Sequence, residues 1–377
     1  MFKIIGRYTE ALVTVDEIDL ETRRQIETFL GCKALLGSNI VIMPDCHAGK
    51  GSVVGYTQTI NDYVIPNVVG VDIGCGVLSV NLGHASQENL VVLDQFIRKE
   101  IPYGFDVHKN MHHVWENYPK GFPEKVTEVC SRLGLDKSRV FDSIGSLGGG
   151  NHFIELAVDT SDNIWLSIHS GSRNFGKRVA EFHQKIAQSR FEGIAGDMKG
   201  LEYLTGVYKQ TYLEDMQVAQ QLADLSRVSM AKIVVEDYYG FKYDDLLKVH
   251  SIHNYIDFND NIIRKGAIAA YSGQMLVIPM NMRDGVLLCS GRGNVDWNNS
   301  APHGAGRVYS RGRAKRELSM DQYVREMEGV FSTCVNQETL DESPMAYKDP
   351  TTIRDLIDGT TVDVIDVLKP IYNFKAS

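Results

Sequence analysis

Six short segments of the chain gather histidine, aspartate or arginine, five of them close to glycine. MPDCHAGKGS supplies Asp45, His47 and Lys50, and GVDIGCGV supplies Asp72 and Cys75. GSLGGGNHFIE brings Asn151, His152 and Glu155, and SIHSGSRNFG brings His169 and Arg173. SIHNYID holds His253 and Asn254, and APHGAGRVYSR holds His303, Arg307 and Arg311. Glycine tolerates positive φ and lets backbone N–H groups come close to a ligand, so a strand that runs into a glycine turn is a common phosphate-holding junction. One histidine at a strand end is more often a hydrogen-bonded core residue than a ligand, by roughly three to one. Six such segments in one chain, five of them with glycine turns, strain that reading.

Asp72, Cys75, His152, His169 and His253 together offer one carboxylate, one thiolate and three imidazoles. A bridging thiolate with four other ligands suffices for two cations that keep open positions. Two cations roughly 4 Å apart can clamp the attacking and leaving oxygens of a phosphoryl transfer. The thiolate alone favours a soft metal such as zinc, and residue chemistry by itself does not select manganese. His303 is the remaining histidine in a Gly/Arg setting, and an imidazole can attack phosphorus to form a covalent phosphoramidate. Arg307 and Arg311 are four apart, so a helix beginning after Gly306 would project both from one face toward phosphate oxygens. The competing reading makes His303 a turn residue and both arginines surface residues.

The elements that must position these groups follow from the pattern around them. β-Branched runs predict strands at 39–44, 68–73, 164–169, 275–279 and 285–290. Apolar residues at a 3.6-residue period predict helices at 16–30, 89–101, 177–192 and 206–238. Strands and helices alternate without a steady β-α-β beat, which predicts an α+β fold: mixed β-sheets surrounded by helices. With no repeat, low-complexity tract or Pro/Ser-rich linker, residues 1–377 read as a single domain, with a helical segment at about 177–250 packed against the β core. The 43% hydrophobic and 23% charged composition is that of an ordinary globular protein. Six cysteines without a C-x-x-C pair argue against a disulfide framework and a zinc knuckle. No run of 18 apolar residues occurs and the first residues meet charge too early for a secretory signal, so a cytoplasmic protein with no membrane partner is expected. A net charge of −9 suits nucleic acid poorly. Any such surface must be a local patch, and Arg307, Arg311, Arg313, Lys315 and Arg316 fall within ten residues.

Taken in order, MPDCHAGKG, GVDIGCG, GGGNHFIE, IHSGSRNFG, HNY, HGAGR and the C-terminal AYKD and FK resemble the RtcB family of RNA ligases over nearly the whole chain. The resemblance implies sealing of 2′,3′-cyclic-phosphate or 3′-phosphate RNA ends to 5′-hydroxyl ends with GTP and two manganese ions. It implies that Cys75 bridges the metals, with His169 and His253 at one site and Asp72 and His152 at the other. His303 would be the nucleophile that takes GMP. Asn151, Arg173, Arg307 and Arg311 would hold phosphates or the RNA terminus, Phe153 and Glu155 would contact guanosine, and Tyr347 and Lys375 would close over the base. A carboxylate at Glu155 can accept from guanine N1–H and N2–H₂, a donor pair that adenine lacks. The implied setting is RNA repair or tRNA splicing by a monomer, with an accessory activating protein left open.

The chain departs from the family at IPMNMRDG (278–285), where Met280, Asn281 and Arg283 stand in place of small residues near the guanine. It also looks shorter than the archaeal members. Two rivals remain: a metal-dependent phosphohydrolase or nuclease built on the same ligands, and a non-catalytic RNA-binding protein, which would be expected to have lost ligands.

Overall fold

Strands form where runs of β-branched and aromatic residues can bury one or both faces. The computed structural model describes residues 1–49, 51–85, 89–109, 118–190 and 199–376. Lys50 and positions 191–192 of an expected helix lie outside them. In chain order the strands are β1 (Phe2–Ile5), β2 (Glu10–Val13), β3 (Ile40–His47), β4 (Val54–Thr59), β5 (Gly76–Asn81), β6 (Phe153–Val158), β7 (Ile164–Ser170) and β8 (Lys248–Ile252). They continue as β9 (Asn254–Asp257), β10 (Ile262–Lys265), β11 (Ala267–Ala269), β12 (Met275–Asn281), β13 (Gly285–Gly291), β14 (Ser300–Pro302) and β15 (Val362–Phe374). One sheet runs β1-β2-β3-β4-β10-β9, with β2 and β3 parallel; a second runs β12-β13-β15-β6-β7-β5-β8; β11 pairs with β14. This is an α+β fold in one domain.

The seven-stranded sheet curls on itself. Val77, Ala157, Trp165, Val249, Val277, Val286, Leu288 and Leu368 come from all seven strands and form one buried cluster inside the curl. The Val277 N–H donates to Ser251 Oγ at 2.8 Å and so ties β12, at one edge, to β8 at the other. On the outer face, Leu78, Leu156, Leu166 and Ile168 pack with Met230 and Val234 of the helical layer. At about 25 cal/mol per Å² of apolar area removed from water, such burial is the main force holding the sheet and helices together.

The helices Arg173–Arg190 and Gly206–Lys232 pack on each other, and the second runs on into a wider turn at Ile233–Tyr238. Two expectations need correction. The run at 68–73 is not a strand: Pro66 fixes a helical φ at the start of the short helix Pro66–Val69, and Gly70 at φ 97° breaks the chain out of it. Its Val68, Val69 and Ile73 are buried as core residues beside a turn. The stretch expected to be helical up to about 250 ends instead in β8, which pairs antiparallel with β5. Burial alternates along Lys248–Ile252, a period of two that a helix would not produce.

Candidate active site

Register brings the metal-ligand candidates together. Antiparallel pairing sets Phe153 opposite His169, Gly76 opposite Ser170, and Gly76 opposite Ile252. His152 immediately precedes Phe153, Cys75 precedes Gly76, and His253 follows Ile252. Four strand ends from β6, β7, β5 and β8 thus deliver four side chains to one rim of the curled sheet. Asp72 arrives from the turn before Cys75. That turn needs Gly74: its φ is +74°, and a Cβ there would lie 2.8 Å from Ala223 Cβ.

Cys75 Sγ lies 3.3 Å from His152 Nε2 and 3.2 Å from His169 Nε2. His169 Nε2 is 2.9 Å from His253 Nε2, and His152 Nε2 is 3.0 Å from Asp72 Oδ2. Ligand atoms of Cys75, His152 and His169 all lie within 4.8 Å of one another, in buried surroundings. Burial holds His169 and His253 well below the ordinary imidazole range, so both rings are neutral. Burial pushes the Asp72 carboxyl up, but the His152 hydrogen bond and charge outweigh it and hold the carboxyl below its usual range. Burial also pushes the Cys75 thiol well up, which a bound cation would reverse. The His169 Nδ1–H faces the Asn151 carbonyl oxygen at 3.0 Å, fixing a tautomer whose Nε2 lone pair points into the cluster. The neutral rings of His169 and His253, the imidazole of His152, a thiol and an ionised carboxylate, with their ligand atoms converging, fit a metal centre.

His303 follows β14, and its ring centroid is 4.8 Å from that of His253. Its Nδ1 is 2.6 Å from Asp45 Oδ2 on β3. The Asp45 carboxylate is fully buried. Gly306 takes φ +76° and packs against the Asp45 backbone, closing the His303 loop onto β3. His303 and three of the five ligand candidates, Asp72, His169 and His253, border one cleft of ≈ 340 Å³, along with Asn151, Phe153, Glu155, Arg307, Arg311, Tyr347 and Lys375.

The two arginines converge, but not along a helix as expected. Arg307 is extended and bridges to Tyr347, and the helix begins only at Arg311, after the cap residue Ser310. Buried Glu342 gathers them: its Oε1 accepts from Arg307 Nη1 at 3.2 Å and Arg311 Nη1 at 2.5 Å, and its Oε2 accepts from the Tyr347 hydroxyl at 2.5 Å. Lys375 Nζ is 3.7 Å from the same carboxylate and 5.5 Å from the Phe153 ring centre. Burial pushes Glu342 up, yet Lys375, Arg311 and Arg307 outweigh it and keep the group ionised. The basic patch is likewise partly neutralised, by Arg313–Glu317 at 2.9 Å and Lys315–Asp341 at 3.4 Å.

Glu155 sits one register step inside the rim, opposite Asn373, whose Nδ2 donates to it at 2.8 Å. Burial pushes its carboxyl up to about 8. Arg173, like Cys75 and His152, is not among the cleft-lining residues; its guanidinium donates to Ser146 Oγ at 3.2 Å and to the Gly104 carbonyl at 2.5 Å. Glu342 and Asn373 were not identified from sequence, since no motif marks an acid that acts by gathering distant cations. Asp45 stood in a noted segment without a role, because its partner lies 258 positions away.

A family model described as tRNA-splicing ligase RtcB matches residues 32–376. The chain belongs to the RtcB family. It is 32% identical over 373 residues to the RNA-splicing ligase RtcB of Escherichia coli K12, covering 89% of this chain and 88% of that protein. It is 27% identical over 436 residues to the tRNA-splicing ligase RtcB of Aeropyrum pernix, covering 90% and 89%. It is 25% identical over 405 residues to RtcB2 of Escherichia coli ATCC 25922, covering 100% and 99%. Residues 278–285, the end of β12 and its turn into β13, border the cleft through Pro279, Met280, Asn281, Met282 and Gly285. No helix among the described residues is long and apolar enough to cross a membrane.

Proposed function

We propose that this RtcB-family chain is a GTP-dependent ligase that joins 2′,3′-cyclic-phosphate or 3′-phosphate RNA ends to 5′-hydroxyl ends through a covalent His303–GMP intermediate. The observation that carries this reading is His303, tied through Nδ1 to the buried Asp45 carboxylate and set beside the Cys75–histidine cluster. Asp45 accepts the Nδ1–H, which leaves the Nε2 lone pair for attack and stabilises positive charge as it develops on the ring.

Nε2 attacks the α-phosphorus of GTP, the N–P bond forms, the bond to the β-phosphate bridging oxygen breaks and pyrophosphate leaves. An oxygen of the RNA 3′-phosphate, freed by hydrolysis where the end is cyclic, then attacks the same phosphorus and releases His303. The 5′-hydroxyl oxygen finally attacks the RNA phosphate, loses its proton and displaces GMP. Asp72, Cys75, His152, His169 and His253 would hold two manganese ions, which would neutralise charge on the in-line oxygens. Arg307 and Arg311, pre-set by Glu342, would grip phosphate oxygens, with Asn151 beside them. Glu155, neutral at rest because burial pushes its carboxyl up to about 8, would give up its proton as guanine N1–H and N2–H₂ donate to it, and Phe153, Tyr347 and Lys375 would enclose the base. Arg173, its guanidinium anchored by Ser146 and Gly104, would hold phosphate or the RNA terminus.

Split tRNA and nuclease-damaged RNA carry the same ends, so repair and splicing place the same demand on this site. Incubation of a 3′-phosphate RNA and a 5′-hydroxyl RNA with GTP and manganese is expected to yield joined product. RNA cleavage or phosphate release without joining would support the hydrolase rival instead.

A further inference from the structure

The helix Gly206–Lys232 buries 12 of its 27 residues, and three polar side chains on it reach the backbone of segments that carry metal-ligand candidates. Arg227 is wholly buried, and its Nη1 donates to the Gly74 carbonyl at 2.6 Å and the Ser170 carbonyl at 2.8 Å. Those carbonyls belong to the residue before Cys75 and the residue after His169. Seven positions earlier, on the same helical face, Gln220 makes a two-way bond with Ile256, three residues past His253: it accepts from the Ile256 N–H at 2.9 Å and donates to the Ile256 carbonyl at 3.2 Å. Ser226, on the adjoining flank, accepts from the Gly145 N–H at 3.0 Å, at the start of the loop leading to His152. The strand ends are also bonded to each other, His253 N–H to the Cys75 carbonyl at 2.8 Å and Gly74 N–H to the Asn254 carbonyl at 2.7 Å.

We infer that this helix is the template that spaces the metal ligands, with Arg227 as its principal positioning residue. The inference rests on the metal-centre reading above. A fully buried guanidinium is costly unless paired, and this one makes its hydrogen bonds through Nη1 alone, to the two carbonyls that flank Cys75 and His169, with Asp224 at 3.5 Å from Nη2 as counter-charge and Nε and Nη2 without a hydrogen-bond partner among the described residues. Losing it would free both turns to shift, and ligands supported from behind in this way typically lose about 10–100-fold in metal affinity when the support is removed.

Cobalt(II) provides the test, because its charge-transfer absorption with a thiolate reports directly on ligation by Cys75. Wild type, Arg227→Met, Arg227→Lys and Gln220→Ala are titrated with cobalt alone, each with its metal-free unfolding midpoint recorded. The expected result is about 10–100-fold weaker binding and an altered thiolate band in Arg227→Met, partly restored in Arg227→Lys. Gln220→Ala, at a half-buried position, is expected to fall several-fold short of wild type. A folded Arg227→Met with wild-type affinity and band overturns the inference. Should Arg227→Met fail to fold, Gln220→Ala decides, and wild-type binding there overturns it equally. A wild-type chain without any cobalt–thiolate band contradicts the metal-centre reading itself.

Discussion

His303 and Asp45 make the most demanding pair at the scale of single residues. A carboxylate holds the Nδ1–H tautomer and leaves Nε2 nucleophilic; an amide in its place can present its N–H₂ to Nδ1 and move the ring proton to Nε2. Asp45→Asn is therefore expected to slow transfer of GMP to the protein by about 10²–10⁴-fold. Its cobalt–thiolate band should stay unchanged, because Asp45 touches none of the proposed ligands. Rapid-quench measurement of label transfer from GTP checks this, and a near-normal rate would remove Asp45 from the mechanism. The sequence displayed both residues, but it could not pair them, since strand register and the closure at Gly306 bring them together. The five proposed metal ligands were more legible, because strand ends with glycine turns announce themselves locally. Glu342 was illegible for the opposite reason: an acid among cations looks like any surface acid until Arg307, Arg311 and Tyr347 are seen around it.

Elements explain why the rim is stiff enough to hold such groups. Long buried runs such as 40–44 and 164–169 were readable as strands because their apolar content leaves no solvent face. The 68–73 run had the same composition, but Pro66 and the positive φ of Gly70 overrode its propensity. The short strand β8 was hidden inside a stretch that read as helix, since five residues are too few to reveal a period of two. Gly306 tests the link between element and site. Its φ of +76° and its contact with the Asp45 backbone leave no room for a Cβ. Gly306→Ala is expected to lose about 1–3 kcal/mol of stability. It should impair GMP transfer more than cobalt binding, because the His303 loop moves away from β3 while the curled sheet stays intact. Denaturant unfolding and label transfer check the pair, and a variant with both unchanged would show that the close packing at Gly306 is dispensable.

Over the whole molecule, function is set against stability at Glu155. Its carboxyl is pushed up to about 8 by burial, from an ordinary 4.5, while the Asn373 hydrogen bond and Lys375 only partly oppose the rise. As pH rises the unfolded chain gives up this proton first, so the folded state is increasingly penalised. The contribution is complete below about pH 4.5 and is lost as pH passes through 8. Gln at this position has no proton to lose. In metal- and nucleotide-free protein, the unfolding midpoint of Glu155→Gln relative to wild type is expected to improve between pH 5.5 and pH 8 by on the order of 2–5 °C. The same variant should lose preference for GTP over ATP, since an amide offers a donor where guanine also donates. Equal midpoint differences at both pH values would contradict the burial argument, and an unchanged nucleotide preference would contradict the guanine contact.

The central claim is that His303 becomes covalently bonded to GMP. Incubation of the full chain with α-labelled GTP and manganese, followed by denaturing electrophoresis, tests it most directly. The account predicts protein-bound label that is released by acid, discharged by 3′-phosphate RNA and absent from His303→Ala. Label that persists in His303→Ala, or RNA turnover by the wild type through no labelled protein at all, would contradict it.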